Sequence, residues 1–186
     1  MLGFYFEEKP SVNAQIEHLI KKTNKRLHLL TKLKLNGLNK EKLRIIYMAS
    51  MRGVLEYSSN TYHSQINKGQ INAMESIQKK WLKIIFGYNH SYEKLLELGR
   101  LERLETRRQK LFEKFPQKTI ENPKYQHWFP LKTFMRHTRH PRPYIETKAN
   151  TNRLHRSPMY AMRRFLNDEK PIQPENDDIT GAYNEP

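Results

Sequence analysis

NKGQINAMESIQKKWLKIIFG, residues 67–87, decides the fold. Asn67 followed three residues later by Gln70 has the spacing of a capping box, in which each side chain satisfies a backbone N–H that the first helical turn leaves orphaned. Ile71, Met74, Ile77, Trp81, Ile84 and Ile85 then recur at helical spacing, and Gly87 stops the run. Lys79, Lys80 and Lys83 face largely the other way. This is an amphipathic helix with one apolar arc and one basic arc.

The same logic extends to both sides. Ser11 can cap a helix carrying Val12, Ile16, Leu19, Ile20, Leu27 and Leu30 on one side, which Gly37 ends. Lys21, Lys22, Lys25 and Arg26 fall mostly away from that stripe. Asn39 caps the next helix, with Leu43, Ile46, Tyr47 and Met51 apolar and Gly53 weakening its end. Ser91 opens a short helix, SYEKLLELG. Leu101, Leu104, Leu111 and Phe115 mark another, expected to end near Pro116 because proline removes a helix hydrogen bond. Residues 2–6, LGFYF, read as a short orphan strand. Residues 116–157 are rich in proline and basic residues and keep no period, so they read as extended chain. Ser157-Pro158 starts a last helix, MYAMRRFLN. Residues 168–186 are polar and acidic and read as a disordered tail.

The expected organisation is therefore mostly α: a strand remnant at 1–10, a helical bundle at 11–115, an extended basic segment at 116–157, a C-terminal helix at 158–167 and a tail. The formal charge of +15 on 186 residues marks a partner that is a polyanion, most often nucleic acid. With no cysteine there is no disulfide framework and no thiolate metal site. The N-terminus lacks the basic region and apolar run of a signal peptide, and no window approaches the length of a membrane span. Neither a membrane partner nor a cofactor is expected.

Several stretches in this order resemble one region of a known family. They are KKTNKRLHLLTKLKLNGLNKEKL, IIYMASMRGVLEY, IQKKWLKIIFG, SYEKLLELGRLERLETRRQKLF and NRLHRSPMYAMRRFLN. Together they are similar to the region after the palm in reverse transcriptases of non-LTR retrotransposons, the jockey-like and LINE-type elements. The likeness covers roughly residues 2–167 and rests on order and spacing rather than on one motif. It implies a helical thumb that grips RNA, DNA or their hybrid. It also implies that Leu55, Glu56 and Tyr57 form the family's Leu-Glu-Tyr stretch, at the end of one thumb helix. Gly53 stands where the family usually has proline, and Tyr62 where it has tryptophan. Arg107-Arg108 match the family's paired arginines.

Polymerisation in that family needs palm aspartates that hold two metal ions. Here the only aspartates are Asp168, Asp177 and Asp178, all in the last nineteen residues and outside any strand-turn-strand context. The expectation is a palm-less fragment without polymerase activity that binds nucleic acid through Lys21, Lys22, Lys25, Arg26, Lys32, Lys34, Lys79, Lys80 and Lys83. Trp81, inside an apolar arc, reads better as core than as a base-stacking platform. Arg108 falls near the apolar stripe of its helix and needs a carboxylate, which Glu97 or Glu105 could supply. His127, His137, His140 and His155 read as positive character in a loop rather than as a zinc site. A helical protein partner or self-association through the 12–30 stripe is the alternative, as is a retroelement remnant without function.

Overall fold

The computed structural model describes residues 12–133 and 142–168, and these are mostly α-helical. The orphan strand at 2–6, Ser11, His137, His140 and the tail beyond Asp168 lie outside the described residues. The helices are α1 (Asn13–Leu35), α2 (Lys40–Tyr47), α3 (Gly53–Glu56), α4 (Ser59–Tyr62), α5 (Lys68–Phe86), α6 (Tyr92–Gly99), α7 (Leu104–Glu121), α8 (Asn152–His155) and α9 (Pro158–Asp168). A π-helical turn, Met48–Arg52, joins α2 to α3. Among the described residues the β-pairing is one antiparallel bridge, Leu131 with Tyr144.

Local chemistry sets most boundaries. Asn67 Oδ1 accepts from the Gln70 N–H at 2.9 Å and Gln70 Oε1 accepts from the Asn67 N–H at 3.0 Å, a complete capping box at the start of α5. Asn39 caps α2 through the Lys42 N–H, and Ser91 caps α6 through the Lys94 N–H. Gly37 and Gly87 take φ of +83° and +115°, where a side chain would be strained.

α1 and α5 form the spine. Gln70 Nε2 donates to Asn13 Oδ1 at 2.8 Å near their starts, and Lys34 Nζ donates to the Ile84 carbonyl near their ends. The two helices therefore lie side by side in the same direction. Their inner faces, with α2 and the π turn, bury Leu30, Leu43, Tyr47, Met51, Ile77, Trp81 and Ile85. A second cluster, Val12, Ile16, Leu19, Leu55, Tyr62, Met74 and Leu104, joins α1 to α3, α4 and α7. Leu82 packs against Tyr92, Leu95 and Leu96 of α6.

Three expectations are corrected. Gly53 does not weaken a helix end: its φ is −57°, and the helical path continues through it to Glu56. The irregularity lies instead in the π turn, an inserted residue in the helical path. Nor does α7 end near Pro116. It runs on to Glu121 with Pro116 buried inside it. The lost N–H costs roughly 3 kcal/mol, and tertiary packing offsets it.

That packing is the third correction. Residues 116–157 are not simply extended. They hold the last turn of α7, a 3₁₀ turn at Gln126–Trp128, the Leu131–Tyr144 bridge and α8. Phe129 joins Phe112, Ala161, Met162 and Leu166 in a core of its own, with Tyr144 packed against it. The buried Asn167 stands in for a strand neighbour: its Oδ1 accepts from the Tyr144 N–H at 2.9 Å and its Nδ2 donates to the Tyr144 carbonyl at 3.2 Å.

Gly53 sits in helical geometry with nothing within 4 Å of a built Cβ. Gly53→Ala should therefore stabilise the fold by about 0.5–1 kcal/mol through the unfolded state. Calorimetry should show the thermal midpoint rising by about 1–4 °C; a lower midpoint would mean that the turn needs glycine.

Candidate nucleic-acid interface

An α-helix advances about 100° per residue, so Lys21, Lys25 and Lys32 fall within about 40° of one another on α1, over about 16 Å of its length. All three are exposed. On α5, Lys79 and Lys83 share a similar arc and Lys80 lies beside them; Lys79 and Lys80 are exposed and Lys83 is half-buried. Lys21 pairs with Glu17 across an exposed helical turn at 3.6 Å, a contact worth little in water. Lys22, Lys25, Lys32, Lys79, Lys80 and Lys83 make no ion pair among the described residues. Two parallel helices thus each hold a row of cations on the side away from the buried face, and Lys21 alone of these lysines has an ion-pair partner among the described residues.

Two residues expected on that surface hydrogen-bond to backbone carbonyls: Arg26, which is half-buried, and Lys34, which is exposed. Arg26 Nη1 donates to the Ser50 carbonyl in the π turn, where the inserted residue disturbs the carbonyl ladder. Lys34 Nζ donates to Ile84 O near the α5 C-terminus, where a cation also meets the negative end of the helix dipole. Both tie elements together, and neither stands free for phosphate.

Trp81 is 1% exposed at the centre of the α5 inner face, its ring 6.0 Å from that of Tyr47. It has no face to offer a base. Beside it runs a buried polar chain. Tyr47 Oη donates to Gln78 Oε1 at 2.5 Å, Gln78 Nε2 donates to Tyr92 Oη at 2.9 Å and to the Glu102 carbonyl at 3.1 Å, and Tyr92 Oη donates to Glu75. Glu75 Oε1 also accepts from the Glu105 N–H at 2.8 Å, at the start of α7. Burial pushes the Tyr47 and Tyr92 hydroxyls well above the usual phenol range, so both stay protonated donors.

The Leu55-Glu56-Tyr57 stretch closes α3. Leu55 is in the core, and the Tyr57 N–H returns to the Gly53 carbonyl at 3.1 Å. Ser58 turns the chain at φ 55°, and Tyr62 Oη donates back to the Leu55 carbonyl. Glu56 has the chemical role. Its Oε1 accepts from Arg52 Nε at 2.6 Å and lies 3.5 Å from Arg107 Nε, with its side chain only 16% exposed. The Arg52–Glu56 spacing of four on one helix was a readable signal for this pair that the motif reading passed over.

The paired arginines divide differently from expectation. Arg107 faces Glu56, whereas Arg108 is 1% exposed and no nitrogen of its guanidinium has a hydrogen-bond partner. The proposed partners are engaged elsewhere or turned out: Glu97 pairs with Lys94, and Glu105 is exposed. The cause is the seating of α7. It buries Leu104, Arg108, Phe112, Pro116 and Thr119, a row spaced by four and then three, and leaves Leu111 and Phe115 half-buried. Arg108 acts on Tyr62 and His63 through its charge, and burial lowers the His63 pKa below its ordinary value.

No group of three or more His, Asp or Glu able to hold a metal ion occurs among the described residues. His155 packs on Tyr160 and His127 on Trp128, and Asp168 pairs with Arg142 at 3.4 Å. No described helix is long and apolar enough to cross a membrane. No family model, curated protein or solved structure matches the chain.

An unpaired buried guanidinium is a net cost, and replacing a buried charge by an apolar side chain of similar size commonly stabilises by about 1–4 kcal/mol. Arg108→Met is expected to raise the denaturant midpoint at unchanged m-value. A lower midpoint would show that Arg108 holds a partner that stabilises the fold.

Proposed function

We propose that this chain binds nucleic acid without sequence preference and without polymerase catalysis. It would be a helical fragment similar to the thumb and post-palm region of a non-LTR retrotransposon reverse transcriptase. The single observation that carries the binding is the pair of lysine rows, Lys21, Lys25 and Lys32 on α1 and Lys79, Lys80 and Lys83 on α5, on parallel helices. Exposed ammonium groups at regular spacing neutralise backbone phosphates and release condensed counterions. They reach no base edge, so they position a duplex without reading it. Glu17 is the one acid in α1, and Glu75, the one acid in α5, is turned inward to Tyr92 and Glu105. RNA, DNA and RNA–DNA hybrid all present the backbone phosphates that such rows would meet.

A second reading, association with a helical partner or with another copy, loses its expected surface. Ile16, Leu19 and Leu30 of the 12–30 stripe are covered by the molecule's own helices. Leu29 and Leu35 of α1 and Ile45 of α2, at 54%, 81% and 59% exposure, are the large apolar groups left outside on these two helices.

The test is fluorescence anisotropy with a labelled RNA–DNA hybrid across a salt series, alongside sedimentation of the same samples. Lys25→Gln, Lys32→Gln, Lys79→Gln and Lys80→Gln combined should leave the thermal midpoint unchanged. The log–log salt slope should shrink by about one unit per lysine that contacted phosphate. Equal affinity and slope in wild type and variant would contradict the assigned faces. Binding that appears only with a concentration-dependent mass would favour association instead.

A further inference from the structure

A separate cluster of cations lies where the π turn and α3 meet the α6–α7 turn. Arg52, Gly53, Glu56, Arg100, Glu102 and Arg107 line a cleft of about 360 Å³. Its charges do not cancel. Glu56 is held by Arg52 at 2.6 Å, and its contact with Arg107 is longer, at 3.5 Å. Arg107 Nε is buried without a hydrogen bond. Glu102 is committed outside the cleft wall, to Lys110 Nζ at 2.6 Å, and that hydrogen bond holds its carboxyl below the usual range and therefore ionised. Arg100 has no carboxylate partner among the described residues. Counting Lys110 with the three arginines against the two glutamates leaves a surplus of two positive charges.

Arg100 also occupies a position that does not favour it. It follows the C-terminus of α6 at φ 51°, in the left-handed region where glycine is the usual residue. The turn would form more easily with glycine there, and an exposed arginine contributes nothing to the core. What it contributes is an exposed cationic residue to the lining of the cleft.

We propose that this cleft binds a phosphate group, with Arg100 and Arg107 as the donors that hold it and the Arg52–Glu56 pair as the fixed wall behind them. Planar guanidinium forks match the oxygens of a doubly charged phosphate, and the surplus of two is the charge such a group neutralises. The phosphate could be the terminal phosphate of a nucleic acid or that of a small phosphate compound. The site is built from residues other than the lysine rows, so it stands or falls independently of them.

Arg100→Gly separates binding from folding, because it removes the guanidinium while relieving the left-handed strain. Calorimetric titration of the full chain with inorganic pyrophosphate at low salt is one arm. The other compares duplexes with 5′-phosphate and 5′-hydroxyl ends. Pyrophosphate bound by wild type and weakened about tenfold in Arg100→Gly and in Arg107→Gln, with the Arg100→Gly midpoint equal or higher, supports the site and a small-molecule source. A preference for the 5′-phosphate duplex that both variants abolish supports the site and a nucleic-acid source. The proposal is overturned if wild type binds pyrophosphate no better than the variants and shows no 5′-phosphate preference.

Discussion

Gln78 is a buried amide with every polar atom used, and the arrangement of four elements depends on it. Its oxygen accepts from Tyr47 next to the π turn, and its nitrogen donates to Tyr92 in α6 and to the carbonyl of Glu102. Three residues away along the same helix, Glu75 takes the Tyr92 hydroxyl and the N–H of Glu105. A buried polar chain of this kind is costly if any member is left unbonded, so it tolerates one geometry only. That geometry sets the start and rotation of α7. It thereby decides which of two adjacent arginines enters the core and which faces Glu56.

The distribution of charge follows from the same constraint. A chain with a formal charge of +15 must keep its cations out of a small core or pair them. Most lysines of α1 and α5 are kept outside by helical periodicity. Arg26 and Lys34 are accommodated at carbonyls that the π turn and the α5 terminus leave open. Arg52 is accommodated by Glu56. Arg108 is the exception, carried inward because Leu104 and Phe112, four residues to either side, are needed in two different cores. The described residues thus show one buried charge without a partner, Arg108, and one arginine in a left-handed turn, Arg100. Both run against local preference, and Arg100 borders a cleft.

What was legible in the sequence was what depends on near neighbours. The caps at Asn39, Asn67 with Gln70, and Ser91 were readable because each side chain meets a backbone group two or three residues away. The stops at Gly37 and Gly87 were readable for the same reason, and the apolar arc of α5 has enough large residues to fix its orientation. The course of α7 through Pro116 was not readable, because the packing that offsets the proline comes from Phe129 and α9, far along the chain. The core beneath residues 116–157 rests on isolated anchors, Phe129 and Tyr144, and on an asparagine acting as a strand neighbour, none of which leaves a period. The basic faces were legible as composition. Their division into free lysines and carbonyl-bound Arg26 and Lys34 was not, since it depends on which helix ends are brought alongside.

The central claim is that two rows of lysine on a parallel helix pair touch phosphate. Acetylation rates of individual lysines, followed by mass spectrometry with and without a saturating RNA–DNA hybrid, address it directly. The account predicts that Lys21, Lys25, Lys32, Lys79, Lys80 and Lys83 slow together while Lys114, Lys118, Lys124 and Lys132 keep their rates. Protection of the second group with the first unchanged would place the contact elsewhere and contradict the account.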